Sequence, residues 1–389
     1  MRVLVCCRPG FGHFHPFVPL SRALADAGHE VVIATGESLA PQVAAAGFSM
    51  IKSGPSIAAA QQATTERFPE YADLRKELTW YRGLAMFASV TAPEVVTDLL
   101  AEVDARRPDL LLFEVTEFAA PMVAAVRDIP AVLVSWGPAR PPELIEYGAM
   151  RAADTWRSLG LVPPADGGMR SHPFIDICPP SLQTPWLADM AEVIPMRHIP
   201  YESPAPDASS SWHPPSGERL LVYVTLGTVF GAAELFKAAI EGASRCEVDV
   251  VATIGPTGDP ATLGAQPPNV RIERYIPQSE LLPHVACFVS HLGSGAMMGA
   301  ATYGVPHVGM PQGADQFVNA DALEHSGAGL ALRSEHVSAG EVEAAVRQAL
   351  DDAALAVAAR RLAEETAARP HPRDVVPELE RLIRSSGRA

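Results

Sequence analysis

The sequence predicts an α/β protein made of two Rossmann-like, doubly wound domains facing one another across a cleft. Three observations carry that expectation. The chain has 389 residues, too many for one compact core and comfortable for two. Each half opens on a continuous apolar run that ends in a glycine-containing turn, Val3 to Cys7 before Pro9-Gly10 and Leu220 to Val224 before Thr225-Leu226-Gly227. Such runs are the mark of parallel strands buried on both faces. Between the halves, 200–217 holds five prolines and five serines, a composition that packs poorly and reads as an exposed linker. The expected division is a first domain at 1–199, a linker at 200–217, a second domain at 218–370, and a terminal segment at 371–389 whose helix packs back on the first domain.

In chain order, residues 2–7 read as the first strand. Pro9-Gly10-Phe11-Gly12-His13-Phe14-His15-Pro16 then turns into a helix with Phe17, Leu20 and Leu24 on one face and Gly28 at its end. Glu30 to Ala34 is the next strand, and strand, glycine turn, helix, strand is the opening unit of a doubly wound sheet. The same grammar returns at Leu110–Phe113, at the helix around Ala119–Val126, and at Ala131–Ser135. Residues 54–90 and 137–180, rich in Pro, Gly and scattered aromatics, read as irregular loops over the strand ends. In the second half, strands are expected at 248–253, 270–273, 285–289 and 305–310, with helices at 232–243, 339–350 and 374–384.

Composition narrows the function. A formal net charge of −15 with no Lys/Arg cluster argues against a nucleic-acid partner. Five cysteines, an odd number mostly in apolar surroundings, suggest reduced core residues and a cytoplasmic protein. No metal-ligand spacing links them. Met1-Arg2 runs directly into the first strand, so no signal peptide is expected, and no apolar run reads as long enough to span a membrane.

The densest constellation lies between Arg274 and Phe317. It comprises Tyr275-Ile276-Pro277-Gln278, then an apolar strand ending in Ser290-His291-Leu292-Gly293-Ser294-Gly295, and Pro311-Gln312-Gly313-Ala314-Asp315-Gln316. A strand that ends in His-x-Gly-x-Gly and becomes helical points unpaired N–H groups and the positive helix end at one spot, where phosphate oxygens bind. Flanked by Tyr-x-Pro-Gln and Asp-Gln, it resembles the donor-sugar signature of the inverting, nucleotide-sugar-dependent natural-product glycosyltransferases of actinomycete type, which have the GT-B fold. The resemblance extends to the amino terminus, where Gly12-His13-Phe14-His15-Pro16 meets the last five positions of a Gly-x-x-Gly-His-x-x-Pro motif.

The resemblance implies roles. His13 is the match for the catalytic base, and Glu114, at the tip of the Leu110–Phe113 strand, stands where relatives carry an aspartate that orients it; Glu117 is the competing partner. The donor would be held by Gly12, Thr228, Tyr275, Ile276, Gln278, His291, Gly293, Ser294, Gly295, Ala296, Asp315, Gln316 and Asn319. Tyr275 would stack on the nucleobase, His291 and the 294–296 amides would hold the diphosphate, and Asp315-Gln316 would reach the sugar hydroxyls. Phe11, Phe68, Trp80, Tyr81, Phe87 and Trp136 would line a lipophilic acceptor pocket. No Asp-x-Asp occurs in the sequence, so neither a metal nor another cofactor is expected, the nucleotide diphosphosugar being a co-substrate. Expected partners are that donor and a polyketide-like aglycone; a homodimer stays open. Many relatives carry a ribose-binding glutamate eight residues after the motif histidine. Here that position is Gly299. Two readings stay open, close helix packing and a 2′-deoxyribose donor, so a dTDP-linked deoxysugar is expected. Two other classes compete. One is a nucleotide-sugar-binding protein without catalysis. The other is a NAD-linked oxidoreductase, disfavoured because the third glycine of its fingerprint would fall at His15, before Pro16.

Overall fold

The computed structural model describes residues 1–201, 212–215, 217–226, 233–255 and 258–385. Thr228 and most of the expected linker lie outside them. The chain divides into two compact units, one of Met1–Cys178, Thr184–Ser203 and Arg369–Ala389, the other of Pro179–Gln183 and Pro204–Ala368.

In the first unit the described residues form a seven-stranded sheet of β1 (Arg2–Cys6), β2 (Glu30–Thr35), β3 (Ser49–Lys52), β4 (Leu110–Glu114), β5 (Ala131–Val134), β6 (Pro173–Asp176) and β7 (Glu192–Pro195). Its order is β3-β2-β1-β4-β5-β6-β7 and every pairing is parallel. β4 is buried at all five positions and β1 at four of its five, which is why both were legible as apolar runs. The crossovers are α1 (Phe11–Phe14), α2 (Val18–Asp26), α3 (Ala40–Ala45), α4 (Ile57–Arg67), α5 (Thr79–Ala85), α6 (Ala92–Arg106), α7 (Ala119–Arg127) and α8 (Pro142–Ser158).

Of the two stretches read as irregular, the first is largely helical and the second holds one long helix and a strand. Residues 57–67 form α4, capped by Ser56 accepting from the Ala59 N–H, and a π-helical turn at Met86–Thr91 joins α5 to α6. Residues 142–158 form α8, which has a proline in its first turn, as α6 does. Proline is tolerated there because that N–H has no helical acceptor, so Pro142 is a helix-start signal inside a stretch expected to be a loop. The helical run Lys76–Arg106 is 31 residues long and contains an 18-residue window with a mean hydropathy of 1.4, enough to cross a membrane by length and composition alone. This corrects the reading that no apolar run approaches that length. Trp80, Leu84, Val95, Val96, Leu99 and Val103 of this run are buried within the unit, as in a core helix.

The second unit repeats the plan. Its described sheet has six strands, β8 (Leu221–Thr225), β9 (Asp249–Thr253), β10 (Val270–Glu273), β11 (Cys287–Ser290), β12 (His307–Gly309) and β13 (Gly329–Ala331), in the order β10-β9-β8-β11-β12-β13, all parallel. Its helices are α9 (Ala233–Ser244), α10 (Gln278–Leu281), α11 (Ser294–Tyr303), α12 (Gln316–Ser326), α13 (Ala339–Asp351) and α14 (Ala353–Ala368). One core layer packs Val222, Val224, Val250, Val289 and Val308 against Phe236, Ile240, Val342 and Val346. The other gathers Tyr223, Phe288, Leu281, Leu282 and Val305.

The last helix, α15 (Pro372–Ser385), belongs to the first unit. It buries Val375, Val376, Leu379 and Ile383, packs against α2, and His29 Nε2 lies 3.1 Å from Glu380 Oε1.

Candidate active site

In a doubly wound sheet, ligands bind beyond the carboxyl ends of the strands where the order reverses. The first unit reverses between β1 and β4, the second between β8 and β11. The residues singled out from the sequence leave the sheets at these two places.

At the first, β1 ends and Gly10 opens α1, which carries His13 in its single turn. A Cβ on Gly10 would stand 3.0 Å from His13 Cδ2, so the bare backbone gives the ring its room. His13 Nδ1 lies 3.0 Å from Glu114 Oε1, with the ring 24% exposed and the carboxylate 1%. A proton on Nδ1 donates to that carboxylate and leaves Nε2 as the ring's acceptor. Glu114 also accepts from the Thr116 N–H at 2.5 Å and from Thr116 Oγ1 at 2.9 Å. Burial penalises the carboxylate, but His13, the Thr116 amide and Arg8 together hold its pKa below the ordinary value. Glu117 is engaged elsewhere: its Oε2 pairs with Arg8 Nη2 at 2.7 Å and its Oε1 accepts from the Ala119 N–H at 2.9 Å.

The aromatic residues separate into two groups. Trp136 meets His13 edge-on at 4.4 Å between ring centroids, and Phe87 does so at 5.9 Å. Behind them the Arg140 guanidinium lies 5.3 Å from the Trp80 ring and 5.8 Å from Trp136. Phe68 and Tyr81, expected in the same pocket, instead join a neighbouring cluster. Phe68 packs on Tyr71 and under Arg151, and Tyr81 meets Tyr147 edge-on at 4.8 Å. Tyr147 and Arg151 sit one turn apart on α8, so the unforeseen helix supplies the competing partners. Phe11 packs on His15, and Gly12 is exposed with open space where a side chain would stand.

At the second reversal β11 delivers Ser290, His291, Leu292 and Gly293 into the start of α11. Leu292 has a left-handed backbone, φ +63°, and its side chain is fully buried against Gly309, where a Cβ would fall 2.0 Å from Leu292 Cδ1. Ser290 Oγ accepts from the Leu292 N–H at 3.0 Å, and Asn319 Nδ2 donates to the Leu292 carbonyl at 2.8 Å. The turn is thus held from both sides. The His291 ring lies over Gly293, whose added Cβ would be 2.6 Å from Nε2. Burial lowers His291 to about 4, so its imidazole is neutral near pH 7. The first bond of the helical ladder here is Met297 N–H to the Gly293 carbonyl, which leaves the Gly295 and Ala296 amides outside it.

Asp315 occupies the N-cap position of α12 without capping it. Its Oδ2 accepts from Ser294 Oγ at 2.5 Å and from Asn319 Nδ2 at 2.9 Å. The expectation that Gln316 reaches outward is corrected, for it is 1% exposed and its Oε1 accepts from the Gln312 and Gly313 N–H groups. Gln316 shapes the loop before the helix. Tyr275 is half-buried and Ile276 buried, the latter within the core layer of Tyr223 and Phe288. Gln278 Oε1 would stand 3.3 Å from a Cβ on Gly299, and Leu282 Cδ1 3.2 Å.

Some residues were missed. Arg8, buried beside Glu117, gave one signal, a cation at the end of an apolar strand. His307, hidden in β12, bonds Ser290 at 2.7 Å and looked like any strand residue.

Residues 22–227 match the N-terminal domain, and 237–382 the C-terminal domain, of the erythromycin biosynthesis protein CIII-like family. The chain belongs to the EryCIII-like glycosyltransferases. It is 33% identical over 386 residues to the L-demethylnoviosyl transferase of Streptomyces niveus, covering 97% of each chain. Among solved structures it resembles the spinosyn rhamnosyltransferase SpnG, with a TM-score of 0.80 and 26% identity over 98% of this chain and 100% of that one. It also resembles SsfS6 of Streptomyces sp. SF2575, solved with thymidine diphosphate, with a TM-score of 0.78 and 27% identity over 98% and 99% of the two chains. The protein is therefore a natural-product glycosyltransferase with the GT-B fold. The oxidoreductase and non-catalytic readings fall away. The Asp-to-Glu departure at Glu114 leaves a carboxylate within hydrogen-bond reach of His13.

Proposed function

We propose that this glycosyltransferase is inverting and metal-independent, and that it moves a deoxysugar from a dTDP-linked donor to a hydroxyl of a lipophilic aglycone. The carrying observation is the His13–Glu114 contact of 3.0 Å at the reversal of the first sheet. With Nδ1–H held by the carboxylate, Nε2 takes the proton of the acceptor hydroxyl as its oxygen bonds to the anomeric carbon. The bond to the diphosphate breaks in the same displacement, and its electron pair leaves with the nucleotide. Trp136 and Phe87 give the base an apolar surround suited to an aglycone. In the second unit the neutral His291 and the Gly295 and Ala296 amides are assigned to the departing diphosphate. Asp315, held by Ser294 and Asn319, is assigned to the sugar hydroxyls, and Tyr275 to the base.

His13→Ala should lower turnover by about 10²-fold or more and leave donor affinity nearly unchanged, since His13 lies in the other unit. Most of the turnover surviving with an alcohol acceptor would remove His13 from the mechanism. The dTDP preference is supported by the missing carboxylate at Gly299 and by the thymidine diphosphate complexes of SsfS6 and SpnG. Calorimetric titration with the two free diphosphates tests it. Tighter binding of thymidine diphosphate is expected, and tighter binding of uridine diphosphate refutes the preference.

A further inference from the structure

Beneath the His13–Glu114 contact lies a second buried ion pair that the transfer reaction does not itself require. Arg8 is 4% exposed and Glu117 2%. Arg8 Nη1 donates to Thr91 Oγ1 at 2.9 Å, its Nε to the Thr116 carbonyl at 3.4 Å, and Nη2 pairs with Glu117. Its guanidinium lies 5.5 Å from the Phe87 ring, and its own N–H faces Glu114 Oε1 at 3.4 Å. One side chain therefore ties the end of β1 to the π-helical turn bearing Phe87 and to the turn bearing Glu114 and Thr116. Burying a pair of ions is costly and is weak evidence for stability alone. Its placement against two of the groups that touch His13, Glu114 and Phe87, points to another use.

We propose that Glu117 is a positioning residue for the base: it cancels the charge of Arg8, so that the Glu114 carboxylate acts undivided on His13. The inference rests on His13 being the base. When Nε2 accepts the acceptor proton, the ring becomes a cation facing one uncompensated carboxylate. Without Glu117, Arg8 would compete for Glu114 and the cation would lose that support. The other groups around the ring do not supply it. Thr116, Phe87 and Trp136 are uncharged, Cys6 and Cys7 are held as thiols by burial, and His15 is neutral, lowered to about 4. Arg140, whose guanidinium lies 5.8 Å from the Trp136 ring, is a cation and supplies no such support.

The test is a charge cycle on the full chain. In Glu117→Gln the His13 ring should lose its proton at a pH lower by about 0.5–1 unit, less than the 1–3 units of a charge in direct contact. This is followed by carbon-13 NMR of labelled histidine, with His13 assigned by its disappearance in His13→Ala. The acidic limb of kcat/KM should move by the same amount. In Arg8→Met/Glu117→Gln, which removes both charges, the titration and the limb should return to the native positions. A purely structural pair would instead make the double variant no better than the single. An unmoved ring in Glu117→Gln, or a double variant shifted further, overturns the proposal. A ring that shifts while the rate profile stays fixed would remove His13 as the base and leave the charge coupling standing. If the single variant does not accumulate folded, the double variant, neutral like the native pair, still decides by whether its ring titrates as in the native protein.

Discussion

Gly293 carries no side chain because the His291 ring occupies the place one would take. Alanine there must push the imidazole away, since 2.6 Å to Nε2 is far inside van der Waals contact. The other groups of the turn, held by Ser290 and Asn319, would stay. Gly293→Ala should therefore weaken nucleoside diphosphate binding through His291 alone. A hydrogen bond to a charged group is worth about 1.5–3 kcal/mol, so the loss should be roughly tenfold to a hundredfold in Kd by calorimetry. Unchanged affinity would detach His291 from the phosphates. At this scale the sequence was uneven. The spacing of His13, Glu114, His291 and Asp315 was visible, because chemistry concentrates in short motifs. The partners that fix them were not, because Asn319 to Leu292, Arg8 to Glu117 and Leu292 to Gly309 are contacts across the fold with no local pattern.

Among the elements, the central strands were legible and several helices were not, for one physical reason. A parallel strand covered on both faces is apolar along its run, and β1, β4, β8 and β11 are so apart from one end residue each, Arg2, Glu114, Thr225 and Ser290. A helix advertises itself by a polar face and by caps, and neither 54–90 nor 137–180 offers both together. α4 is capped by Ser56 but has little amphipathic contrast, α8 has the contrast but no side-chain cap, and a π-helical turn breaks the period between α5 and α6. Phe68 and Tyr81, expected from their aromatic character to line an acceptor pocket, pack with Tyr147 and Arg151 of α8, contacts the loop reading did not foresee.

Across the molecule, several histidines are buried as neutral rings. His307 is lowered to about 3, and His15, His198 and His291 to about 4. The unfolded chain takes up these protons near pH 6.5, while the folded one resists to about 4 or lower. Between those limits the unfolded state binds more protons, so stability falls as the solution is acidified. The fully buried His307 contributes up to about 1.4 kcal/mol per pH unit, the partly exposed rings less. Glu117, raised by burial, opposes the trend. Thermal melts from pH 7 to pH 4 should show a falling Tm, and His307→Gln should flatten the slope; a Tm independent of pH over that range would contradict the burial of neutral rings.

The path of the chain sets a timetable for its birth. The first unit is closed by α15, which the ribosome makes only after the second unit. Between Ser203 and Pro372 the nascent chain must be extended through the whole second unit. At translation speeds of about 5–20 residues per second that interval lasts on the order of 10–30 s. During it the face of α2 against which α15 packs has no cover from that helix. The emerging first half must therefore either wait unfinished or be shielded by a chaperone. A gene fusion that exchanges the two halves between relatives inherits the same constraint. Its final helix should travel with the amino-terminal parent, whose surface it was selected to complete.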